Sequence, residues 1–190
     1  MTAELPDWMY PPRPSGWEAD DLDHLPQAPR HTELVDGVLV FRLVPQRLWH
    51  SRLVENLTFA LRQSAPDGFD TAREMTVRLN KKSRPETDVL VAAATYEPDR
   101  TSYLPDEVAL VVEVVSDESA DRDRSLKPFK YAQAGIPHFW RVEDAKGEPV
   151  VHVYELDRLT HSYVPTGIHR GRLKTTVPFV MDIDLGSLTP

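Results

Sequence analysis

From Val108 to Val115 the chain reads VALVVEVV, an apolar and mostly β-branched run broken only by Glu113. Such a run forms a strand covered on both faces, which calls for a sheet with helices packed against it and places this strand near the middle. A second run, DVLVAAA from Asp88 to Ala94, has the same character and opens on an acid. A carboxylate within a buried strand is costly unless a metal ion, an arginine or a lysine compensates it. The segment DRDRSLKPFKYAQAG, residues 121–135, brings Lys127 just downstream. Two strand acids and a nearby lysine are the minimal parts of a metal-dependent phosphodiesterase. Magnesium, a hard cation, takes carboxylate oxygens, neutralises phosphate charge and generates a nucleophile from water. An ammonium group beside it stabilises developing charge or orients that water.

The rest of the chain supplies the sheet and its cover. Residues 1–16 carry Pro6, Pro11, Pro12 and Pro14 and read as an extended arm in which no helix can form. Residues 17–190 read as one domain, with no internal repeat and no linker long enough to divide them. Trp17 to Pro26 predicts a short amphipathic helix, and the Asp36-Gly37 pair inside ELVDGVLVF predicts a hairpin over Glu33 to Phe41. Leu53, Val54, Leu57, Ala60 and Leu61 recur at helical spacing within Ser51 to Gln63, a helix ended by the Ala65-Pro66-Asp67-Gly68 turn. Strands are expected at 71–79, 88–94, 108–115, 138–143 and 150–156, with shorter ones at 162–164 and about 173–177. A second helix is expected from Ser125 to Ala134, with Pro128 in its first turn and Gly135 just past its end. The fold class is α/β.

Composition narrows the functional classes. Hydrophobic residues at 41% and charged residues at 27% are ordinary for a globular domain. No apolar run approaches the roughly 20 residues that cross a bilayer, and the opening MTAELPDWMYPP lacks the pattern of a signal peptide. Cysteine is absent, which excludes disulfides and thiolate metal sites and fits a cytoplasmic setting. The seven histidines show no HxxxH or HExxH spacing, so a zinc site is not expected, and no glycine-rich phosphate loop occurs. Ser116 lacks a GxSxG context and is not expected to be a nucleophile. The net charge of -8 argues against simple nucleic-acid binding, but it is concentrated: residues 1–37 hold eight acids and two bases. In the near-neutral remainder, Arg78, Lys81, Lys82 and Arg84 precede Asp88, and Arg122, Arg124, Lys127 and Lys130 follow Glu113. These clusters allow a polyanion ligand without requiring one.

The strings RPETDVLV, LVVEVVS and DRDRSLKPFKYAQAGIPHFWRVE, with LDHLP and ELVDGVLV before them and DLGSL after, resemble the Uma family of putative restriction endonucleases. The resemblance spans about residues 17–188, and the stretch from Glu113 to Trp140 is its most specific part. The family belongs to the PD-(D/E)XK nuclease superfamily, which implies a restriction-endonuclease-like mixed β-sheet flanked by helices, with the site at one sheet edge. It also implies a magnesium-dependent endonuclease acting on DNA, manganese serving as well, and a homodimer is expected because cutting both strands of a duplex takes two sites.

Residue by residue, Asp88 resembles the Asp of the first half-motif, although Glu86 and Thr87 separate it from Pro85. Glu113 resembles the acid of the second half, and the carbonyl of Val114 is implied as a further metal ligand. The superfamily's lysine, two positions after that acid, is replaced by Val115; the family instead draws a lysine from the following helix, here Lys127. Glu33 matches an acid before the family's Asp-Gly turn, implying a further ligand or a residue that positions the corner. His50 reads as a helix-start or surface residue, and Tyr131, Phe139 and Trp140 read as core.

Overall fold

The computed structural model describes residues 5–42, 44–116 and 119–189. A seven-stranded sheet dominates it. β1 (Thr32–Val35) and β2 (Val38–Phe41) form a separate hairpin, and the sheet itself comprises β3 (Asp70–Val77), β4 (Glu86–Ala92), β5 (Ser102–Tyr103), β6 (Val108–Val114), β7 (His138–Ala145), β8 (Glu148–Asp157) and β9 (Ser162–Arg170). Their spatial order is β5-β3-β4-β6-β7-β8-β9, so the two acid-bearing strands are central neighbours. β6 runs parallel to β7 and β3 parallel to β5, and every other neighbouring pair is antiparallel. The expected mixed sheet flanked by helices is therefore the observed one.

Strand alternation divides the core. Val89 and Val91 of β4, with Leu110, Val112 and Val114 of β6, face α1 (Leu48–Ser64). The buried residues of that helix are His50, Leu53, Val54, Leu57, Thr58 and Leu61, a single stripe at three- and four-residue spacing. β10 (Arg172–Thr175) and β11 (Met181–Asp184) close the same side with Leu173, Met181 and Ile183. The intervening residues Leu90, Ala92 and Val111 face the other way, against Tyr131 of α2 (Lys127–Gln133), Ile136 and Phe139. Glu113 shares the parity of this second set, so the pleat aims it at the face that α2 covers, where Lys127 and Tyr131 meet it.

The hairpin forms as its sequence predicts, because Asp36 and Gly37 adopt φ of 51° and 80°, the left-handed pair that a two-residue turn needs. Leu34 exchanges backbone hydrogen bonds with Arg84 at 3.1 and 2.7 Å, which ties the hairpin to the β3–β4 connection. Three expectations change. The 17–26 segment is a 3-10 helix over Ala19–His24, and a one-turn 3-10 helix at Asp7–Met9 shortens the extended arm. Arg13 of that arm pairs with Asp21, so the arm folds back on the domain. The tail holds a nine-residue β9 where a three-residue strand was expected, together with β11 inside MDID. Alternation with exposed Val164 and Ile168 hides β9 from a hydrophobicity reading.

Candidate active site

The β4–β6 ladder begins at the Val89–Val112 pair, so the two central strands part just where Asp88 and Glu113 stand. In place of a backbone carbonyl, the Asp88 carboxylate accepts the N–H of Val114 at 2.7 Å. The site thus lies at the end of two middle strands, and the expectation of a sheet edge is corrected: β5 and β9 are the edges. Central strands are held on both sides, which fixes the acids more firmly than an edge strand could.

Lys127 enters from the first residue of α2, after a π-helical turn over Arg122–Leu126. Its ammonium donates to Glu113 Oε2 at 3.1 Å and to the carbonyl of Glu86 at 2.8 Å. It also lies 3.0 Å from Glu33 Oε1 and 3.8 Å from Asp123 Oδ1. Lys127 therefore stands beside Glu113, where the broken motif at Val115 left a lysine wanting. Glu33 is buried and faces the same ammonium from β1. All four acids and bases singled out in the sequence come together here.

The structure adds residues that the sequence reading did not place. His50 stands at the start of α1, as expected, but it is buried rather than on the surface, with Nε2 3.5 Å from Asp88 Oδ2. Its three-residue spacing from Leu53 was the available signal. Tyr131 donates from its hydroxyl to Glu113 Oε1 at 2.6 Å. Asp123, one turn before Lys127, is buried and accepts from the Ser119 hydroxyl. Arg42, just after β2, holds its guanidinium 3.5 Å from Asp88 Oδ1 and 3.9 Å from Glu33 Oε1. No local pattern in the sequence marks Arg42.

Charge in this cluster does not balance. Glu33, Glu86, Asp88, Glu113 and Asp123 are all buried, against the permanent cations Arg42 and Lys127. Burial pushes Asp88 up, but its contact with His50 and the charges of His50, Arg42 and Lys127 outweigh that and hold its carboxyl at about 2. Burial pushes Glu113 well above the ordinary glutamate range despite Lys127, and it raises Asp123 as well. Glu86 also rises by burial, although His31 sits 2.7 Å from its Oε1. Burial disfavours charge on Lys127, yet Glu113, Glu33, Asp123 and Asp88 reverse this and keep the ammonium protonated.

Such a surplus of hard oxygen donors suits a divalent cation. Both oxygens of Glu33 and Oδ1 of Asp123 are buried without a hydrogen-bond partner. Glu33 Oε1 and Asp123 Oδ1 meet the charge of Lys127 at 3.0 and 3.8 Å, and Arg42 lies 3.9 Å from Glu33 Oε1. Among the described residues no three acidic or histidine side chains converge on one point. The fit lies in charge and donor chemistry rather than in a finished cage, as magnesium sites completed by water and phosphate require.

Fold and site together define a protein of the restriction-endonuclease-like class, a mixed sheet whose central strands part around two acids. The fold is similar to the crystal structure of "a putative nuclease belonging to DUF820 from Anabaena variabilis ATCC 29413", with a TM-score of 0.67 at 14% identity over 90% of this chain and 96% of that one. No curated protein matches the chain. The family model Uma2, "Putative restriction endonuclease", matches residues 6–185, and the chain belongs to that family. No helix among the described residues is long and apolar enough to cross a membrane.

Proposed function

We propose that this protein is a magnesium-dependent endonuclease that hydrolyses DNA phosphodiester bonds, with manganese able to substitute. The observation that carries the reading is the approach of Lys127 to Glu113 at 3.1 Å, beside an Asp88 kept ionised at the parting of the central strands. Asp88, Glu113 and the carbonyl of Val114 would hold the ion, with Glu33 as a further ligand. When bound, the ion supplies charge neutralisation at the phosphate and a more acidic water. The chain's own part is positional. Tyr131 and Lys127 orient the Glu113 carboxylate from two sides, and the Val114 N–H orients Asp88. The protonated Lys127 can donate to a phosphate oxygen or to the attacking water. Two copies acting as a homodimer would cut both strands of a duplex.

The test is cleavage of supercoiled plasmid, single-stranded DNA and RNA by the purified protein in magnesium or manganese. Metal-dependent nicking is expected with DNA, lost in Asp88→Asn and Glu113→Gln while the circular dichroism spectrum stays unchanged. No cleavage of any form with either metal would overturn the reading. That outcome would favour a second one, a nuclease fold serving as a nucleic-acid or protein binding module. The absence of a finished three-ligand cage among the described residues, together with Val115 in the superfamily's lysine position, is what speaks for it.

A further inference from the structure

Lys127 and Arg42 are the two permanent cations of the buried cluster, and they are held very differently. Lys127 has only 3% of its side chain exposed and makes two short hydrogen bonds, with Glu33 at 3.0 Å as well. Arg42 is the more open of the two at 12%, and its contacts with Asp88 at 3.5 Å and Glu33 at 3.9 Å are long for a guanidinium. A well-formed arginine–carboxylate fork closes to about 2.7–2.9 Å through two parallel hydrogen bonds. Arg42 makes no such fork. One long hydrogen bond to Asp88 Oδ1 and the nearby charges of Asp88 and Glu33 hold it, rather than a fitted fork. A guanidinium with contacts this long, and more exposed than Lys127, is held less tightly than a forked pair.

We propose that Arg42 is a resident counter-ion that a divalent cation must displace, so that the inward position of Arg42 and an ion on Asp88 and Glu33 exclude each other. The inference rests on the reading of this cluster as a divalent-cation site. It follows from two like charges competing for the same carboxylate oxygens: Asp88 Oδ1 and Glu33 Oε1 face the guanidinium, and both residues belong to the proposed ligand set. The resting protein then keeps part of the acid surplus compensated without metal, at the cost of weak cation affinity. Displacement also frees a guanidinium at the rim of the site, where the phosphates of an incoming strand offer it a new anion.

Titration calorimetry with manganese chloride on wild type, Arg42→Gln and Arg42→Lys tests this. Arg42→Gln should bind manganese at least tenfold more tightly than wild type, whereas Arg42→Lys, which keeps the charge, should stay within about threefold of it. A merely structural role for Arg42 would weaken binding or leave it alone. In wild type, modification of Arg42 by phenylglyoxal, located by mass spectrometry, should rise when manganese is added. Should Arg42→Gln fail to fold, that labelling decides: a manganese-dependent rise supports the proposal, and no rise overturns it. Equal or weaker binding by a folded Arg42→Gln overturns the proposal while leaving the cation site standing. No manganese binding by any of the three proteins removes the cation site and the proposal with it.

Discussion

Two charged regions of this molecule solve opposite problems. Along the N-terminal seam, acids of residues 18–23 meet the basic cluster of residues 78–84 nearly one to one. Asp20 pairs with Arg78 at 2.6 Å, Asp23 with Arg84 at 2.8 Å, and Glu18 with Lys81 and Lys82 at 3.3 and 3.5 Å. The cluster that the sequence offered as a landing place for a polyanion is therefore spent on the acids of the chain's own 18–23 segment. At the end of β4 and β6, five buried acids face two permanent cations. The seam is matched and largely wet, and the cluster is mismatched and dry. Matched surface charge pins one segment to another, whereas a buried surplus is kept for a ligand that balances it.

Removing a cation from each region gives the largest contrast. Lys127→Ala leaves Glu113, Glu33 and Asp123 facing one another without their common partner. Breaking a buried pair from one side typically costs about 3–5 kcal/mol, and that loss is expected here in urea unfolding. Lys127→Met combined with Glu113→Gln should recover much of it, because the charge and its partner leave together, yet cleavage should not return. A loss below about 1 kcal/mol for Lys127→Ala would erase the distinction between the regions.

Acid titration sharpens the contrast, because the two regions shift in opposite directions. The Arg84 hydrogen bond lowers Asp23 and the Arg13 hydrogen bond lowers Asp21, so both are ionised in the fold below the ordinary value of 3.8. Their contribution is present above that value and lost as pH falls through the depressed one. Burial raises Glu113 above 4.5. Between that value and the raised one the folded state holds a proton that the unfolded chain has released, so this contribution shrinks as pH rises toward neutrality. The difference in stability between wild type and Glu113→Gln isolates it, since His138 and His152, both lowered by burial, cancel in the subtraction. That difference should shift toward the variant as pH rises above 4.5. A pH-independent difference would show that Glu113 keeps its ordinary affinity for protons.

How much of this was visible beforehand follows from what each feature depends on. The central strands, α1 and the Asp36-Gly37 hairpin were readable because periodicity and turn chemistry are local. Asp88 and Glu113 were readable because an acid in an apolar run is a local contradiction. Lys127 needed the family resemblance, since a lysine at the head of a helix is common and only the π-helical turn before it and the packing of α2 bring it to Glu113. Arg42 could not be read at all: its meeting with Asp88 spans 46 positions and depends on where the hairpin docks. β9 was cut short because a strand that alternates exposed apolar with polar residues, around Pro165, reads as loop.

The smallest effects belong to the seam, and they differ within it for a reason that burial supplies. Lys81 is 74% exposed and lies 3.3 Å from Glu18, so Lys81→Ala should change stability by less than about 0.5 kcal/mol and disappear in high salt. Arg84 is only 4% exposed and does far more than pair with Asp23. Its guanidinium also donates to the carbonyls of Ala19 and Thr101 and to the hydroxyl of Thr76. Arg84→Ala strands those acceptors and should cost about 2 kcal/mol, largely insensitive to salt. The bridge between Arg84 and Leu34, one residue from Glu33, is made by backbone groups and survives this change, so manganese affinity should hold. Unfolding in urea at low and high salt, beside calorimetry, separates the two. If Arg84→Ala proves as mild and as salt-sensitive as Lys81→Ala, the seam is ion pairing throughout.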